Sequence, residues 1–129
     1  MRHSVYASVA LSLAWAATAI AAPLPAAVGQ CSDTRIAKIG ERLEDGATGE
    51  PMAGSGSAVT FANRGYQVSY DEEPAIQHSR RGDPVHICLV KLPQNCPRGD
   101  HRGRIYTTTN LRTGESWTLP DSEHSCGGA

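Results

Sequence analysis

The sequence predicts a mainly β fold: a small antiparallel barrel or two-sheet sandwich of five to six strands, stabilised by disulfides. Three observations carry this. Apolar residues alternate with small or polar ones in short runs, the period of a half-buried strand. Gly, Pro and Asn separate those runs, as hairpin connections do. Four cysteines, Cys31, Cys88, Cys96 and Cys126, in a chain of 129 residues give an even count for bridging.

Taken in order, Thr34 to Glu44 (TRIAKIGERLE) is the least decided element. Ile36, Ile39, Gly40 and Leu43 fit a helical stripe, with Ser32 or Asp33 as N-cap. An irregular first strand fits equally well and agrees with the β pattern that follows, so a strand is expected. Asp45 to Ser57 reads as loop, with five Gly or Pro in thirteen residues. Ala58 to Tyr70 (AVTFANRGYQVSY) reads as a hairpin turning at Asn63-Arg64-Gly65. Phe61 would face Tyr66, Val59 would face Val68, and Gly65 would take the positive φ. Asp71-Glu72-Glu73 ends it as a solvated turn. Val85 to Leu92 (VHICLVKL) is the most apolar run after the first 21 residues. It points Val85, Ile87 and Leu89 one way and His86, Cys88, Val90 and Leu92 the other, and Pro84 and Pro93 bracket it, as suits a central strand. Arg104 to Leu119 reads as a second hairpin with the loop Arg112-Thr113-Gly114. Thr109 would face Trp117, Thr107 would face Leu119, and Gly114 would be the left-handed residue of a bulge.

The ends set the compartment. Arg2 precedes an uncharged, mostly apolar run from Val5 to Ile20, which closes on small residues. Residues 1–21 are expected to be a secretory signal peptide cleaved after Ala21. The apolar run is shorter than the roughly 20 residues of a spanning helix. Gln30 before Cys31 does not suit a lipobox. Residues 22–30 read as a Pro/Ala linker and residues 31–129 as one disulfide-bonded β domain. A domain of this size buries about 65% of its unfolded surface, so bridges matter. Of the three possible connectivities, Cys31–Cys126 and Cys88–Cys96 are favoured, the first tying the domain's two ends together. Without Arg2, eleven Lys and Arg stand against thirteen Asp and Glu. That balance offers no basic field for nucleic acid or anionic membrane. A monomer without a membrane span after cleavage, periplasmic or secreted, is expected.

Several motifs carry possible chemistry. Arg-Gly-Asp occurs twice, at Arg81-Gly82-Asp83 and Arg98-Gly99-Asp100. Three residues are unspecific, and Gly with Asp is ordinary turn chemistry. The second copy, with Arg102 close behind, is the more presentable. His86-x-Cys88 and His124-x-Cys126 would each put two ligands on one strand face, but bridged cysteines cannot ligate, so no metal and no cofactor is expected. Gly54-Ser55-Gly56-Ser57 lacks the strand-elbow-helix setting of a nucleophile. His78, His101, His124, Asp121 and Glu123 would need tertiary contact to form a hydrolase site. Binding is the better expectation, with Tyr66 and Tyr70 as amphipathic contact residues beside Ser55, Ser57, Arg98, Asp100 and Arg102. Trp117 is expected in the core.

GSGSAVTFANRGYQVSY, CLVKLPQNCPRGDHRGRIY and TTTNLRTGESWTLPDSEHSCGGA together resemble a family of small exported bacterial proteins with four cysteines. The resemblance spans nearly all the chain after residue 21 and implies no activity. Ser55-Gly56-Ser57 ahead of Phe61 is similar to the short Ser-Gly segment with which periplasmic lysozyme inhibitors plug the lysozyme cleft. The Tyr that follows in that family is missing from its place, and Tyr66 lies too far along. The expected function is therefore a non-catalytic binding or envelope protein with a protein or cell-envelope ligand. A lysozyme inhibitor and a small secreted hydrolase are the alternatives.

Overall fold

The computed structural model describes residues 22–128 and, of the earlier chain, only Ser12 and Ala14. The expected signal peptide, residues 1–21, otherwise lies outside the described residues. Six strands and one helical turn follow: β1 (Cys31–Glu41), β2 (Ser57–Phe61), β3 (Tyr66–Ser69), α1 (Pro74–Gln77), β4 (Pro84–Lys91), β5 (Ile105–Asn110) and β6 (Ser116–Pro120). All pairings are antiparallel, in the order β3-β2-β1-β4-β5-β6. The sheet is one curled half-barrel, so the mainly β fold expected from the sequence is the fold observed. Among the described residues no helix is long and apolar enough to cross a membrane.

β1 makes the curl possible. Its first half, Cys31 to Arg35, pairs with β4, and its second half, Ile36 to Glu41, pairs with β2. The register shifts between Ile36 and Lys38. Such a bulge bends a strand and increases its twist, which turns the sheet at this point. Thr34, Ile36, Val59, Phe61, Val85, Ile87, Leu89, Tyr106 and Trp117 are buried in the hollow. Ile76, on α1, joins this core. That turn starts at Pro74, whose fixed φ suits a first helical position, and the Glu73 side chain accepts a hydrogen bond from Ala75 N. Residues 22–30 lie against the body: Leu24 packs on the core, and Gly29 N donates to Leu89 O at 2.9 Å.

Both hairpin registers differ from expectation by one residue. In the first, Val59 faces Gln67 and Ala58 faces Val68. Phe61 N donates to Gly65 O at 2.8 Å, so the loop closes one residue early, and Arg64 rather than Gly65 takes the positive φ, at 70°. Gly65 is needed for space instead: a Cβ there would lie 2.9 Å from Leu24 and 3.0 Å from Phe61 side-chain atoms. In the second, Thr108 faces Trp117 and Tyr106 faces Leu119. Asn110 Oδ1 accepts from the backbone N–H groups of Arg112 and Thr113 at 2.8 and 3.2 Å, and Asn110 N pairs with Glu115 O. The loop therefore has one more residue than expected, with Gly114 left-handed at φ 76° as the sequence suggested. A slip of one residue exchanges the two faces of a strand. Gln67, Thr108 and Asn110 accordingly become buried polar residues.

The bridges are Cys31–Cys88 and Cys96–Cys126, not Cys31–Cys126 and Cys88–Cys96. Sheet order is the cause. β1 and β4 are neighbours, and Cys31 stands directly opposite Cys88, with Cα atoms 4.0 Å apart. Cys96 lies past the end of β4, in a loop beside the C-terminal segment, where Cys126 N donates to Arg102 O at 2.9 Å. Spans of 57 and 30 residues restrict the unfolded chain by about 4 and 3.6 kcal/mol in the chain-entropy model. Peptide mapping without reduction is expected to link Cys31 to Cys88 and Cys96 to Cys126; a Cys31–Cys126 peptide would refute the sheet order.

Candidate functional site

On the outer face of β1, β2 and β3 the register places two small residues, Gly40 and Ala58, directly opposite each other. They form the floor of a depression of about 250 Å³. Lys38, Thr60 and Tyr66 stand in the next row, since Lys38 faces Thr60 and Thr60 faces Tyr66. Glu41, Arg42 and Glu44 complete the wall.

Four of the charges here form two pairs, while Glu41 makes no ion pair and its Oε2 is buried without a hydrogen-bond partner among the described residues. Lys38 Nζ donates to Glu44 Oε1 at 2.8 Å, and that carboxylate holds the ammonium above its usual pKa. Arg42 donates to Glu123 at 2.9 Å and to Ser55 O at 2.7 Å. Its guanidinium lies 4.3 Å from the centre of the Tyr70 ring, a cation–π contact. The Tyr70 hydroxyl donates to Glu123 O at 3.3 Å, while 57% of the residue remains exposed. Burial pushes the Tyr66 phenol above its ordinary pKa, with Glu123 adding to the effect, so it stays a neutral donor and acceptor. What results is a shallow cleft with an aromatic wall, two internal ion pairs and one unpaired carboxylate, Glu41, suited to holding a polar ligand that donates hydrogen bonds.

The residues singled out from the sequence divide into three groups. Ser55, Tyr66 and Tyr70 gather around Arg42. Ser57 does not join them: it is buried, and its hydroxyl accepts from Glu73 N at 2.8 Å. Between the serines, Gly56 has φ 117° and no room for a Cβ, which would lie 2.0 Å from Ser69 O. The Ser55 hydroxyl accepts from Leu43 N at 3.0 Å. The Ser-Gly-Ser segment is thus a structural corner, its hydroxyls committed to backbone. Arg98, Asp100 and Arg102 form the third group, on the loop bridged by Cys96–Cys126. Asp100 accepts from Arg102 Nε and Nη2 at 3.0 and 2.9 Å and from Gly127 N at 3.0 Å. The Arg102 side chain, then the backbone N–H groups of Gly127 and Arg102, hold its carboxyl well below the usual range. In the other copy Asp83 is buried against Arg112. Both Arg-Gly-Asp carboxylates are therefore engaged within the protein, and the triplets act as turns.

Of the histidines and acids considered for hydrolysis, His78, Asp121 and Glu123 have separate commitments. His78 bonds Glu115 at 3.0 Å, Asp121 accepts from Gly103 N at 2.8 Å, and Glu123 holds Arg42. Sequence reasoning missed Lys38, Gly40, Arg42 and Glu44. Their only joint signal is the β1–β2 register, which brings Gly40 to Ala58. Comparison with protein-family models, curated proteins and solved structures finds no match to this chain. The class defined by fold and site is thus a disulfide-bonded, curled six-stranded β domain with a shallow outer cleft.

Proposed function

We propose that the protein is an exported, non-catalytic binding domain that takes a polar segment of a protein or cell-envelope ligand in the cleft over β1–β3. The observation that carries this reading is the floor of Gly40 and Ala58 beside Tyr66, with Lys38 and Arg42 already paired to Glu44 and Glu123 and the buried Glu41 Oε2 left free to accept a hydrogen bond. An aromatic wall offers contact area at low conformational cost, and a buried acceptor without a partner favours a ligand that brings a donor to it. Export is supported by the signal-like pattern of residues 1–21 and by two bridges in a small domain, which suit an oxidising compartment.

Gly40→Val tests the reading. Chain neighbours aside, no atom lies within 4 Å of a Cβ built at Gly40, so there is open space for a side chain to enter the cleft. Valine also suits a strand, and stability is expected to stay within about 0.5 kcal/mol of wild type. With the oxidised protein as bait in an envelope extract, the wild type is expected to retain a component that Gly40→Val retains at least tenfold less. Equal retention by the two proteins would place the binding surface elsewhere.

A further inference from the structure

The β1–β4 ladder sets Cys31 opposite Cys88 and, two residues along, Asp33 opposite His86. Residues two apart share a strand face, so all four stand at the corners of a square. That face is the outer one, because Val85, Ile87 and Leu89 fill the core from β4 and Thr34 and Ile36 from β1. One donor atom each from Cys31, His86 and Cys88 lies within 4.8 Å of the others. Asp33 Oδ1 lies 2.7 Å from His86 Nδ1. In the structure the two sulfurs are bonded to each other, which blocks ligation.

We propose that this square is a masked metal site: reduction of the Cys31–Cys88 bridge converts it into a Cys₂His site for a borderline-soft divalent cation such as Zn²⁺. Asp33 orients the imidazole through Nδ1, which leaves Nε2 for the metal. Zinc takes thiolate and imidazole at about 2.3 and 2.0 Å in a tetrahedron, so its ligand atoms stand roughly 3.5 Å apart. The two sulfurs, now bonded to each other, must part on reduction, and a histidine nitrogen already lies within 4.8 Å of both, so side-chain rotation can bring the three donors to that spacing. A carboxylate behind the ligating histidine is the usual supporting arrangement for such sites. The redox step balances as a dithiol exchange. A dithiol R(SH)₂ gives two electrons and two protons to the bridge, leaving cyclic RS₂ and two protein thiols. Zn²⁺ then displaces the two thiol protons and forms two Zn–S bonds. Cys96–Cys126, in the loop lobe, has no such companions: among the described residues only the Cys31, His86 and Cys88 group meets the spacing.

The test uses the full oxidised protein and the same protein reduced with a phosphine, which takes its oxygen from water and does not compete as a thiol ligand. Co²⁺ is the optical probe and Zn²⁺ the competitor. The reduced protein is expected to bind one Co²⁺ per chain with a sulfur-to-cobalt charge-transfer band and tetrahedral visible bands, all removed by Zn²⁺. The oxidised protein is expected to show neither. Zn²⁺ should protect Cys31 and Cys88 from alkylation and leave Cys96 and Cys126 reactive. Asp33→Asn should weaken binding about 10- to 100-fold, and His86→Ala, which removes a ligand, at least as much. Absence of the charge-transfer band, protection of the other cysteine pair, or unchanged affinity in His86→Ala would overturn the proposal. If reduction unfolds the protein, Zn²⁺ is expected to restore its tryptophan fluorescence, and failure to do so would equally overturn it.

Discussion

Replacing Gln67 by leucine is expected to lower stability by about 4 kcal/mol although side-chain volume stays nearly constant. Gln67 sits on β3, at one end of the sheet, and is fully buried. β6 forms the other end, and the curl brings the two ends within reach of one side chain. Gln67 Nε2 donates to Tyr106 O at 2.7 Å and to Leu119 O at 3.0 Å. Its Oε1 accepts from Thr108 Oγ1 at 2.6 Å and from Trp117 Nε1 at 2.8 Å. The amide thereby uses both donors and both lone pairs of its oxygen. Leucine fills the same space but leaves the Thr108 hydroxyl and the Trp117 indole N–H without partners. An orphaned buried group costs about 1–3 kcal/mol, and two carbonyls lose a donor besides.

For a domain of this size the loss corresponds to a fall in Tm of roughly 15–20 °C. Urea denaturation of wild type and Gln67→Leu measures it directly. A double-mutant cycle apportions it: Trp117→Phe removes the orphaned N–H, so the pair is expected to be less destabilised than the sum of the two changes. A loss below about 1 kcal/mol for Gln67→Leu, or strict additivity, would show that the closure of the half-barrel does not depend on this amide.

The same residue shows where sequence reasoning stops. The strands were legible because period-two alternation survives in β4 and β5. The registers were not, because each depends on which turn residue goes left-handed. Arg64 did so in the first hairpin, and Asn110 held one extra residue in the second. That one-residue step decides whether Gln67 meets solvent or core. β1 read ambiguously for a physical reason: the bulge between Ile36 and Lys38 returns Ile39 to the core face, which gives strand residues a helix-like spacing of three. The bridges differ from expectation because tying the domain's two ends together is not what the sheet order demands: β1 beside β4, a non-consecutive pairing, sets Cys31 opposite Cys88. Tyr66 and Tyr70 could be picked by type as candidate contacts. The depression beside Tyr66 could not, since Gly40 and Ala58 are unremarkable until β1 and β2 are aligned.

Asp83→Ala is the second substitution expected to act strongly, and its effect depends on pH. Asp83 Oδ1 accepts from Arg112 Nε at 2.6 Å, and Oδ2 accepts from Arg112 Nη2 and Asn110 Nδ2, each at 2.9 Å, and from Arg80 N at 2.8 Å. Asn110 also donates to Ser79 Oγ, whose hydroxyl donates to Ala75 O. One carboxylate thus ties α1, the first Arg-Gly-Asp turn and the β5–β6 loop together. Breaking a fully buried pair costs about 3–5 kcal/mol, but the Arg112 side chain is 38% exposed and recovers water. About 2–3 kcal/mol is therefore expected at neutral pH. Arg112 hydrogen bonds, against the opposing effect of burial, hold the Asp83 carboxyl well below its usual range. A group whose pKa is depressed by folding gives its full stabilisation above its unfolded pKa, about 4 for Asp, and loses it as pH falls towards the folded value. The stability gap between wild type and Asp83→Ala is expected to stay constant from about pH 8 to 5 and to narrow below about pH 4. A gap that holds its neutral size down to about pH 2 would mean that the carboxylate's charge does not carry the linkage between these three segments.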